Sequence, residues 1–403
     1  MNKVNHFFGA RGRRMLEKQV IRIQYPQCQY DLLMLLCGMF VLTIASTIGL
    51  VPTVVAQTNI PQANDVEKNT MQSNIADDEV VQFFRTTAIF NQETQTWRAP
   101  IHGWAYEPQQ SKFRKSIFSF VLKTKYNLQI DDDAQPYYDR RLNLLIADNE
   151  RGKTPPILLA DGTVIATVAP SVPNGHFQTE IELSDAVVST HRQGNTLAIK
   201  TFAKDGREFF GEILLVAPEG ISVISDIDDT IKVSDVLNHQ QLIDYTFLKP
   251  FESVPGMSDA YQRLKQSKVD SFHFVSSSPW QLYQPLQEFV DMANFPKATF
   301  SLKAIRFRDM TLFDLFKPGT ATKPLQIQKL LQQFPQRKFI LIGDSGEQDP
   351  EVYAGILSQY PDRIDHIFIR NITAEDLGNA RMQAIAAQEN KWTLFEDPND
   401  ILP

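Results

Sequence analysis

Residues 221–234, ISVISDIDDTIKVS, constrain the fold of this chain more than any other stretch. The apolar run at its start predicts a buried β-strand, and Asp226 and Asp228 follow where that strand ends. Clustered carboxylates raise each other's pKa unless a cation joins them, and Mg²⁺ is a hard ion that takes oxygen ligands. An Asp-rich turn is also common without any ligand, because Asp hydrogen-bonds its own backbone. The downstream motifs favour a chemical site over a simple turn.

The string DIDDT, residues 226–230, resembles the first motif of the haloacid dehalogenase (HAD) superfamily of phosphotransferases. The longer string SDIDDTIKVSDV, with VSSSPWQLY and LIGDSGEQDPEVY behind it, is similar to a narrower group, the phosphatidate phosphatase family typified by a yeast actin-patch protein. The similarity runs from about residue 80 to residue 372. It resembles that of the family's bacterial members, and the expected member is an exported one. It implies a HAD-like α/β fold, with a doubly wound parallel sheet, and phosphatidate as the substrate.

The resemblance implies a role for each polar residue of the first motif. Asp226 is expected to be the nucleophile that attacks phosphorus and forms an aspartyl phosphate. Asp228 is expected to protonate the leaving oxygen and then to take a proton from water, while its main-chain carbonyl reaches the metal. Thr230 is expected to hold Asp228 in place, and Asp229 to cap the turn.

A serine run and a lysine are predicted to bind the phosphoryl group. Ser276 is the first choice and Ser277 the second, because a helix is predicted to begin at Pro279 and helix N-termini bind anions. An ordinary helix N-cap is the expectation for Ser278.

Lys323 is predicted to neutralise the nucleophile and the transferred phosphoryl group. It precedes Pro324 at the expected start of a helix, where a cation opposes the helix dipole and is a poor structural choice. The resemblance also places a lysine at such a helix start. Lys317 and Lys303 remain competitors for this role.

Residues 341–349, LIGDSGEQD, form a second predicted strand that ends in acids. The spacing of Asp344 and Asp349 matches the fourth HAD motif, so Asp344 is expected to bind Mg²⁺ and Asp349 to support it from behind the direct ligands or through water. Glu347 is a weaker choice. Asp349 before Pro350 also has the pattern of a helix N-cap. The predicted metal ligands are thus Asp226, Asp228, Asp344 and Asp349.

The N-terminal segment, residues 1–56, has the pattern of an export signal. Six basic residues lie between residues 3 and 22, and no charged residue occurs from 32 to 64. The pattern predicts a signal peptide cleaved before Gln57 or an uncleaved membrane anchor, and both place the body outside the cytoplasmic membrane, periplasmic or anchored facing outward. A buried helix of a soluble domain is the remaining alternative. Met15 or Met34 could be the true start.

The rest of the chain divides into three parts. Residues 57–79 are polar and predict a flexible tether. Residues 80–218 predict a mostly β, sandwich-like domain with one helix at 111–126 and a strand at 142–147 among its strands. Residues 219–403 alternate strand and helix, ending in a helix at 374–390, which predicts the phosphatase catalytic domain.

Four aromatic and histidine residues of the β-rich region give no catalytic pattern. His102 and His176 do not have the spacing of metal ligands, and Trp97 and Trp104 are predicted to lie in the core rather than on a ligand surface.

The net charge of the chain limits the classes of partner that it is expected to bind. The chain carries −7, and nothing in it indicates nucleic-acid binding. Residues 1–56 carry +4, which leaves −11 for the remainder and disfavours general adhesion to anionic membranes. The expected substrate is a phospholipid or another phosphomonoester. The insertion between Thr230 and Pro255 is short, so we expect it to leave the site open to a bulky substrate. The alternatives are a phosphatase for a soluble phosphomonoester and a non-catalytic envelope-binding protein with a HAD-like scaffold.

Overall fold

The computed structural model describes residues 73–402 apart from 109–110, 305–321, 377, 380 and 384–390. The predicted signal or anchor segment and most of the predicted tether lie outside the described residues. Within the described part, none of the helices has the length and apolar character needed to cross a bilayer.

The first half of the described chain forms a ten-stranded sheet in which most neighbours are antiparallel. The hydrogen-bonded order is β1-β3-β2-β10-β9-β5-β6, with β4 and β7 on β3 and β8 on β9. The strands β2 and β10 pair in parallel. The predicted β content is confirmed, and the strands are joined into one continuous hydrogen-bonded sheet. The strands are β1 Val80–Phe84, β2 Thr86–Asn91, β3 Thr96–Glu107, β4 Asp148–Asn149, β5 Pro156–Leu159, β6 Val164–Thr167, β7 His176–Ser184, β8 Arg192–Gln193, β9 Thr196–Phe202 and β10 Glu208–Val216.

Three helices accompany this sheet: α1 Lys112–Tyr126, α2 Gln135–Leu145 and α3 Asp185–His191. The helix predicted at 111–126 is confirmed as α1, and the Ser111 hydroxyl caps it by accepting a hydrogen bond from the Arg114 amide. The strand predicted at 142–147 is wrong, because these residues mostly belong to α2. The buried residues of α2 recur with the three- and four-residue spacing of a helix, and they are Tyr138, Arg141, Leu142 and Leu145.

The second half forms a six-stranded, entirely parallel sheet in the order β13-β12-β11-β14-β15-β16. The predicted parallel sheet is therefore confirmed. Its strands are β11 Ile221–Ser225, β12 Val269–Pro279, β13 Thr299–Lys303, β14 Lys338–Asp344, β15 Ile364–Arg370 and β16 Trp392–Phe395. The helices are α4 His239–Phe247, α5 Met257–Ser267, α6 Tyr283–Met292, α7 Lys323–Gln333 and α8 Asp349–Gln359.

Several elements of this half were not predicted. The strands β13 and β16 were missed, and α4 occupies the insertion that was expected to be only short. The start of the helix predicted at 374–390 is wrong, since 374–376 are not helical, and 384–390 lie outside the described residues.

The two halves share a hydrophobic core. One buried cluster contains Phe84 and Leu142 from the β-rich half together with Phe247 and Leu286 from the parallel half. The Arg141 guanidinium of α2 also donates a hydrogen bond to a main-chain carbonyl of α4 (3.1 Å). The predicted boundary at residue 218 therefore marks a change of sheet within one packed body.

The strand order places a crevice at the carboxyl edge of the parallel sheet. From β11 the chain moves to β12 and β13 on one side and then returns to β14, β15 and β16 on the other. Ligands of such sheets bind at the carboxyl ends of the strands where this reversal occurs. The acidic motifs follow β11 and β14, the two strands that flank the reversal.

Candidate active site

Three buried carboxylates meet at the reversal point. Asp226 follows β11 and donates its amide hydrogen to the Ile342 carbonyl of β14 (2.9 Å). Asp344 ends β14 and Asp349 begins α8, so the strand and the helix aim both side chains at the same crevice. Carboxylate oxygens of Asp226, Asp344 and Asp349 lie within 4.8 Å of one another. The structure thus brings together three of the four predicted metal ligands.

Gly343 makes this close approach sterically feasible. A Cβ atom at this position would lie 2.2 Å from Oδ2 of Asp349. With glycine there, Asp349 Oδ2 accepts a hydrogen bond from the Asp344 amide (3.3 Å). Oδ1 of Asp344 accepts another from the Gly346 amide (2.7 Å). The loop after β14 therefore holds both carboxylates in place.

Lys323 lies among these acids at the start of α7. Its Nζ is 2.8 Å from Oδ1 of Asp226 and 3.5 Å from Glu347, and it also pairs with Asp349. The structure therefore places Lys323 where the sequence predicted a cation. Lys317, its competitor, lies outside the described residues, and Lys303 ends β13.

The acids outnumber the cation in this cluster. Burial raises the pKa of Asp226 well above its ordinary value; Lys323 opposes this shift, and the neighbouring carboxylates reinforce it. Burial also raises the pKa of Asp344 well above its ordinary value, with Asp349 as the next cause. The site therefore lacks positive charge when all of its carboxylates are ionised.

A metal ion fits this donor set. Oδ2 of Asp226 is buried and accepts no hydrogen bond from any described residue. Leaving a buried acceptor unsatisfied costs about 1–3 kcal/mol, and more when it is charged. A divalent cation would satisfy this oxygen and offset the excess negative charge, so the cluster could hold a metal ion.

Asp228 lies in different surroundings, although only one residue separates it from Asp226. Its Oδ1 is 2.8 Å from Nζ of Lys232 and accepts a hydrogen bond from the Ser234 hydroxyl (2.7 Å). Its Oδ2 accepts one from the Ser276 hydroxyl (3.3 Å). Burial acts to raise the pKa of Asp228, but Lys232 and the two hydroxyls outweigh burial and lower it. The carboxylate of Asp228 is thus held ionised and stands outside the metal cluster.

Sequence reasoning missed Lys232. Its side chain is buried, pairs with Asp228, hydrogen-bonds the Ser234 hydroxyl and lies with Nζ 5.0 Å from the centroid of the Phe251 ring. A signal was present, because a lysine four residues after a candidate acid, between Ile231 and Val233, is an unusual choice for an apolar stretch.

The partner predicted for Thr230 was wrong. Its hydroxyl donates a hydrogen bond to Oδ2 of Asp344 (3.4 Å) rather than to Asp228. Asp229 has a positive φ of 50°, which turns the chain and directs Thr230 towards β14. The cap predicted for Asp229 is confirmed, since its carboxylate accepts hydrogen bonds from three successive amides, those of Ser234, Asp235 and Val236.

The helix predicted to begin at Pro279 does not begin there. The strand β12 continues to Pro279, residues 280–282 form a 3₁₀ turn and α6 begins at Tyr283. Ser276 is therefore not at a helix N-terminus, and Ser278 is not an N-cap. Pairing of Pro279 with Lys303 of β13 keeps this segment extended.

The serine hydroxyls nevertheless lie near the crevice. Ser276 is in the site through its contact with Asp228, and its oxygen accepts a hydrogen bond from the Ser278 amide (3.0 Å). The Ser277 hydroxyl is buried without a hydrogen-bond partner among the described residues.

The N-cap alternative for Asp349 is also wrong, because Gln348 is the N-cap of α8 and Asp349 is its first residue. The Asp349 carboxylate is already engaged by Lys323 and the Asp344 amide.

The two histidines of the β-rich half are paired in space. His102 Nε2 lies 3.0 Å from His176 Nδ1, because the antiparallel strands β3 and β7 bring together residues that are 74 apart in sequence. Burial lowers the pKa of both, to about 4 for His176. Both rings are therefore neutral at pH 7. Trp97 and Trp104 are buried, which confirms that they belong to the core.

This carboxyl-edge crevice combines an acid cluster that could hold a cation with one lysine within the cluster and a second lysine beside it. Residues 221–371 match the family model described as "Phosphatidate phosphatase APP1, catalytic domain". The family resemblance drawn from the motifs is thereby confirmed for residues 221–371, which are similar to this catalytic domain.

Two curated relatives support the match. An uncharacterized protein of Schizosaccharomyces pombe is 33% identical over 180 residues, which cover 44% of this chain and 29% of that protein. Phosphatidate phosphatase APP1 of Saccharomyces cerevisiae is 36% identical over 159 residues, which cover 38% of this chain and 26% of that protein. The chain thus spans less than a third of the length of these relatives.

Proposed function

We propose that the protein is a Mg²⁺-dependent phosphatase of the HAD class that converts phosphatidate to diacylglycerol and phosphate. The observation that carries the proposal is the state of Asp226. One of its carboxylate oxygens is paired with Lys323, and the other is buried without a partner among the described residues. We propose that Asp226, which Lys323 holds in place through one oxygen, is the nucleophile. The match of residues 221–371 to the phosphatidate phosphatase catalytic domain supports the substrate.

In the proposed reaction, a carboxylate oxygen of Asp226 attacks phosphorus and the bond from phosphorus to the lipid oxygen breaks. Water then attacks the aspartyl phosphate, phosphate leaves and Asp226 is regenerated. Lys323 neutralises Asp226 and the transferred group at both steps. Ser276 and Ser277 are proposed to donate hydrogen bonds to the phosphoryl oxygens.

Asp228 is proposed to handle the protons. Its lowered pKa suits the second step, in which it takes a proton from the attacking water. In the first step the lipid oxygen must gain a proton, and we assign that proton to the pair of Asp228 and Lys232, whose charged atoms are 2.8 Å apart. Thr230 acts indirectly, by orienting Asp344.

Mg²⁺ would be held by Asp226, Asp344 and Asp349, with the main-chain carbonyl of Asp228 as a further proposed ligand. The donors are all oxygens, which favours a hard cation. When bound, the ion supplies positive charge to the phosphoryl oxygens.

The test is phosphate release by the full chain from phosphatidate in mixed micelles, with and without Mg²⁺. We expect Mg²⁺-dependent release that is lost in Asp226→Asn, and a higher kcat/KM for phosphatidate than for sugar phosphates. A preference for the soluble esters would select the second candidate, a phosphatase for a soluble phosphomonoester. Failure to hydrolyse any phosphomonoester would leave the scaffold alternative, which the buried acid cluster disfavours because a scaffold gains nothing from clustered charge.

Export through residues 32–56 is a separate proposal, which the charge pattern of the N-terminal segment supports. Residues 1–70 fused to a reporter that is active only outside the cytoplasm should give a signal. A silent reporter, soluble inside the cell, would contradict export. N-terminal sequencing would separate cleavage after Ala56 from an uncleaved anchor.

A further inference from the structure

The helix α1 has two apolar faces, and one of them is exposed. Leu122 and Tyr126 are buried against the protein. On another side Phe113, Ile117 and Phe120 are 76%, 45% and 69% exposed. Their four- and three-residue spacing places them on one stripe of the helix. Three large apolar side chains together in water are unfavourable, and a contiguous exposed patch of this kind marks an interaction surface.

The same helix is strongly basic. It contains five lysines and arginines and no acid, whereas the whole chain carries −7. Arg114 and Lys115 pair with Asp148 and Asp139 of the protein itself. Lys112 and Lys123, at the two ends of the apolar stripe, are exposed and have no salt bridge within 4 Å among the described residues, although Nζ of Lys123 lies 5.8 Å from the centroid of the Tyr138 ring. We call Lys112, Phe113, Ile117, Phe120 and Lys123 the α1 face.

The positive charge is local to the helix. The turn that follows it carries three acids at residues 131–133, and the chain beyond residue 56 is acidic as a whole. General electrostatic attraction of the body to an anionic surface is therefore excluded, but a basic helix with an apolar stripe on an acidic body can orient the molecule.

The C-terminal end of α1 lies beside the segment that leads out of the candidate active site. At the end of α1, the Tyr126 ring centroid lies 6.2 Å from that of His239, the first residue of α4. The helix α4 follows the loop in which the Val236 amide binds the Asp229 carboxylate (2.6 Å). Leu237, between that amide and α4, is 58% exposed. Exposed apolar groups therefore occur on α1 and on the loop that leads out of the active site.

We infer that the α1 face docks the protein onto an anionic phospholipid membrane and thereby presents the active site to lipid substrate. A helix with aromatic and aliphatic residues on one stripe and lysines at its margins lies in the plane of the membrane interface, with the apolar groups among the acyl chains. The lysines complement anionic headgroups, which selects this partner over an uncharged apolar surface. The inference rests on the proposed function for its purpose, although lipid contact by α1 does not require catalysis.

The first test measures lipid contact at individual positions of the full chain. Phe120→Cys is compared with Phe210→Cys, because Phe210 is exposed to the same degree (68%) but belongs to the strand β10 rather than to α1. In both variants Cys28 and Cys37 are replaced by serine, and the new thiol carries bimane. Vesicles of phosphatidylcholine with phosphatidylglycerol, and without phosphatidate, should shift bimane emission to the blue at position 120 and protect it at least threefold from iodide quenching, with no change at position 210.

This readout is independent of anything else that attaches the chain to the vesicle. Equal exposure to iodide at positions 120 and 210 in the presence of vesicles would overturn the inference. Shielding of position 120 before any vesicle is added would also overturn it, because the face would then be covered by another segment or by a second copy of the chain. Contact with pure phosphatidylcholine equal to that with the anionic mixture would overturn the role given to the lysines.

The second test separates this inference from the proposed function. Phe120→Glu should lower kcat/KM for phosphatidate in vesicles by about tenfold and leave hydrolysis of a soluble aryl phosphate unchanged, whereas Phe210→Glu should change neither. Replacing Lys112 and Lys123 by Gln should lower the vesicle rate by roughly fivefold per lysine at low salt. If phosphatidate is hydrolysed and Phe120→Glu behaves like Phe210→Glu, the docking surface is refuted and the phosphatase stands. If no phosphatase activity exists but bimane at position 120 still enters lipid, the proposed function fails and the docking surface stands.

Discussion

Asp226 and Asp228 are separated by one residue in the sequence, yet they lie in opposite electrostatic surroundings. Around Asp226 the described residues provide one lysine and three further acids, Asp344, Glu347 and Asp349. Around Asp228 they provide one lysine and two hydroxyl donors. The pKa of Asp226 is raised, and that of Asp228 is lowered.

The difference shows which half of the site is electrostatically complete. The pair of Asp228 and Lys232 is neutral and hydrogen-bonded, so it gains nothing from a further ion. The Asp226 cluster keeps an excess of negative charge that one lysine does not cancel, so its stability depends on protons or on a bound cation.

The proposed nucleophile should give a large effect. Asp226→Asn keeps the shape of the side chain but removes a free lone pair of a charged oxygen, so turnover should fall by about a thousandfold or more. Because the change also removes one of several crowded carboxylates, the midpoint of thermal unfolding in chelator should not fall. Residual phosphate release above about one per cent of wild type would refute the assignment of Asp226.

Breaking the pair of Asp228 and Lys232 should lower stability. Lys232→Met leaves the Asp228 carboxylate buried without its cation, so the free energy of unfolding should fall by about 3–5 kcal/mol in urea titrations. The double variant Lys232→Met with Asp228→Asn removes both charges and should recover a large part of this loss. If the single and double variants are equally destabilised, the pair of Asp228 and Lys232 is not coupled.

Mg²⁺ should stabilise the folded protein through the Asp226 cluster and not through the pair of Asp228 and Lys232. At a concentration of about a hundred times its Kd, a bound ion adds about 2.7 kcal/mol to the free energy of unfolding. This gain should disappear in Asp344→Asn and persist in Asp228→Asn, where the main-chain carbonyl is intact. Calorimetric scans with and without Mg²⁺ provide the measurement. Loss of the gain in Asp228→Asn alone would move the ion to the other half of the site.

The parts of the molecule that sequence reasoning recovered share one property, namely that short-range patterns encode them. The strand before Asp226, the strand before Asp344 and the helix at Lys323 each have local apolar periodicity followed by a polar motif, and the structure places all three residues together. The helix α1 was recovered for the same reason. What the motif spacing could not show is which side chains Thr230 and Ser276 would contact, because that depends on the positive φ of Asp229 and on the extension of β12.

The parts that were missed depend on contacts distant in sequence. The pairing of His102 with His176 follows from the register of β3 and β7, and α2 is buried because it packs against α4, about 100 residues away. The register of β3 and β7 cannot be predicted from a single sequence. Lys232 was overlooked because the resemblance assigned only one lysine to the site, although Lys232 is as deeply buried as Lys323.

The pH dependence of stability without metal follows from the same contrast. A folded-state pKa raised above the ordinary value of about 3.9 means that folded Asp226 and Asp344 retain protons that the unfolded chain has released. The free energy of unfolding in chelator should therefore fall as the pH rises from about 3.9 through the raised folded-state pKa values. Asp228 contributes with the opposite sign, since its stabilisation is present above about pH 4 and is lost only as the pH falls through its lowered pKa. Saturating Mg²⁺ should flatten the fall, because the ion requires the ionised carboxylates and its affinity rises with pH. Urea titrations across this range should show a smaller slope for Asp226→Asn than for wild type, and the wild-type slope for Asp228→Asn. Equal slopes in all three proteins would mean that the two halves of the site do not differ in the way that their contacts indicate.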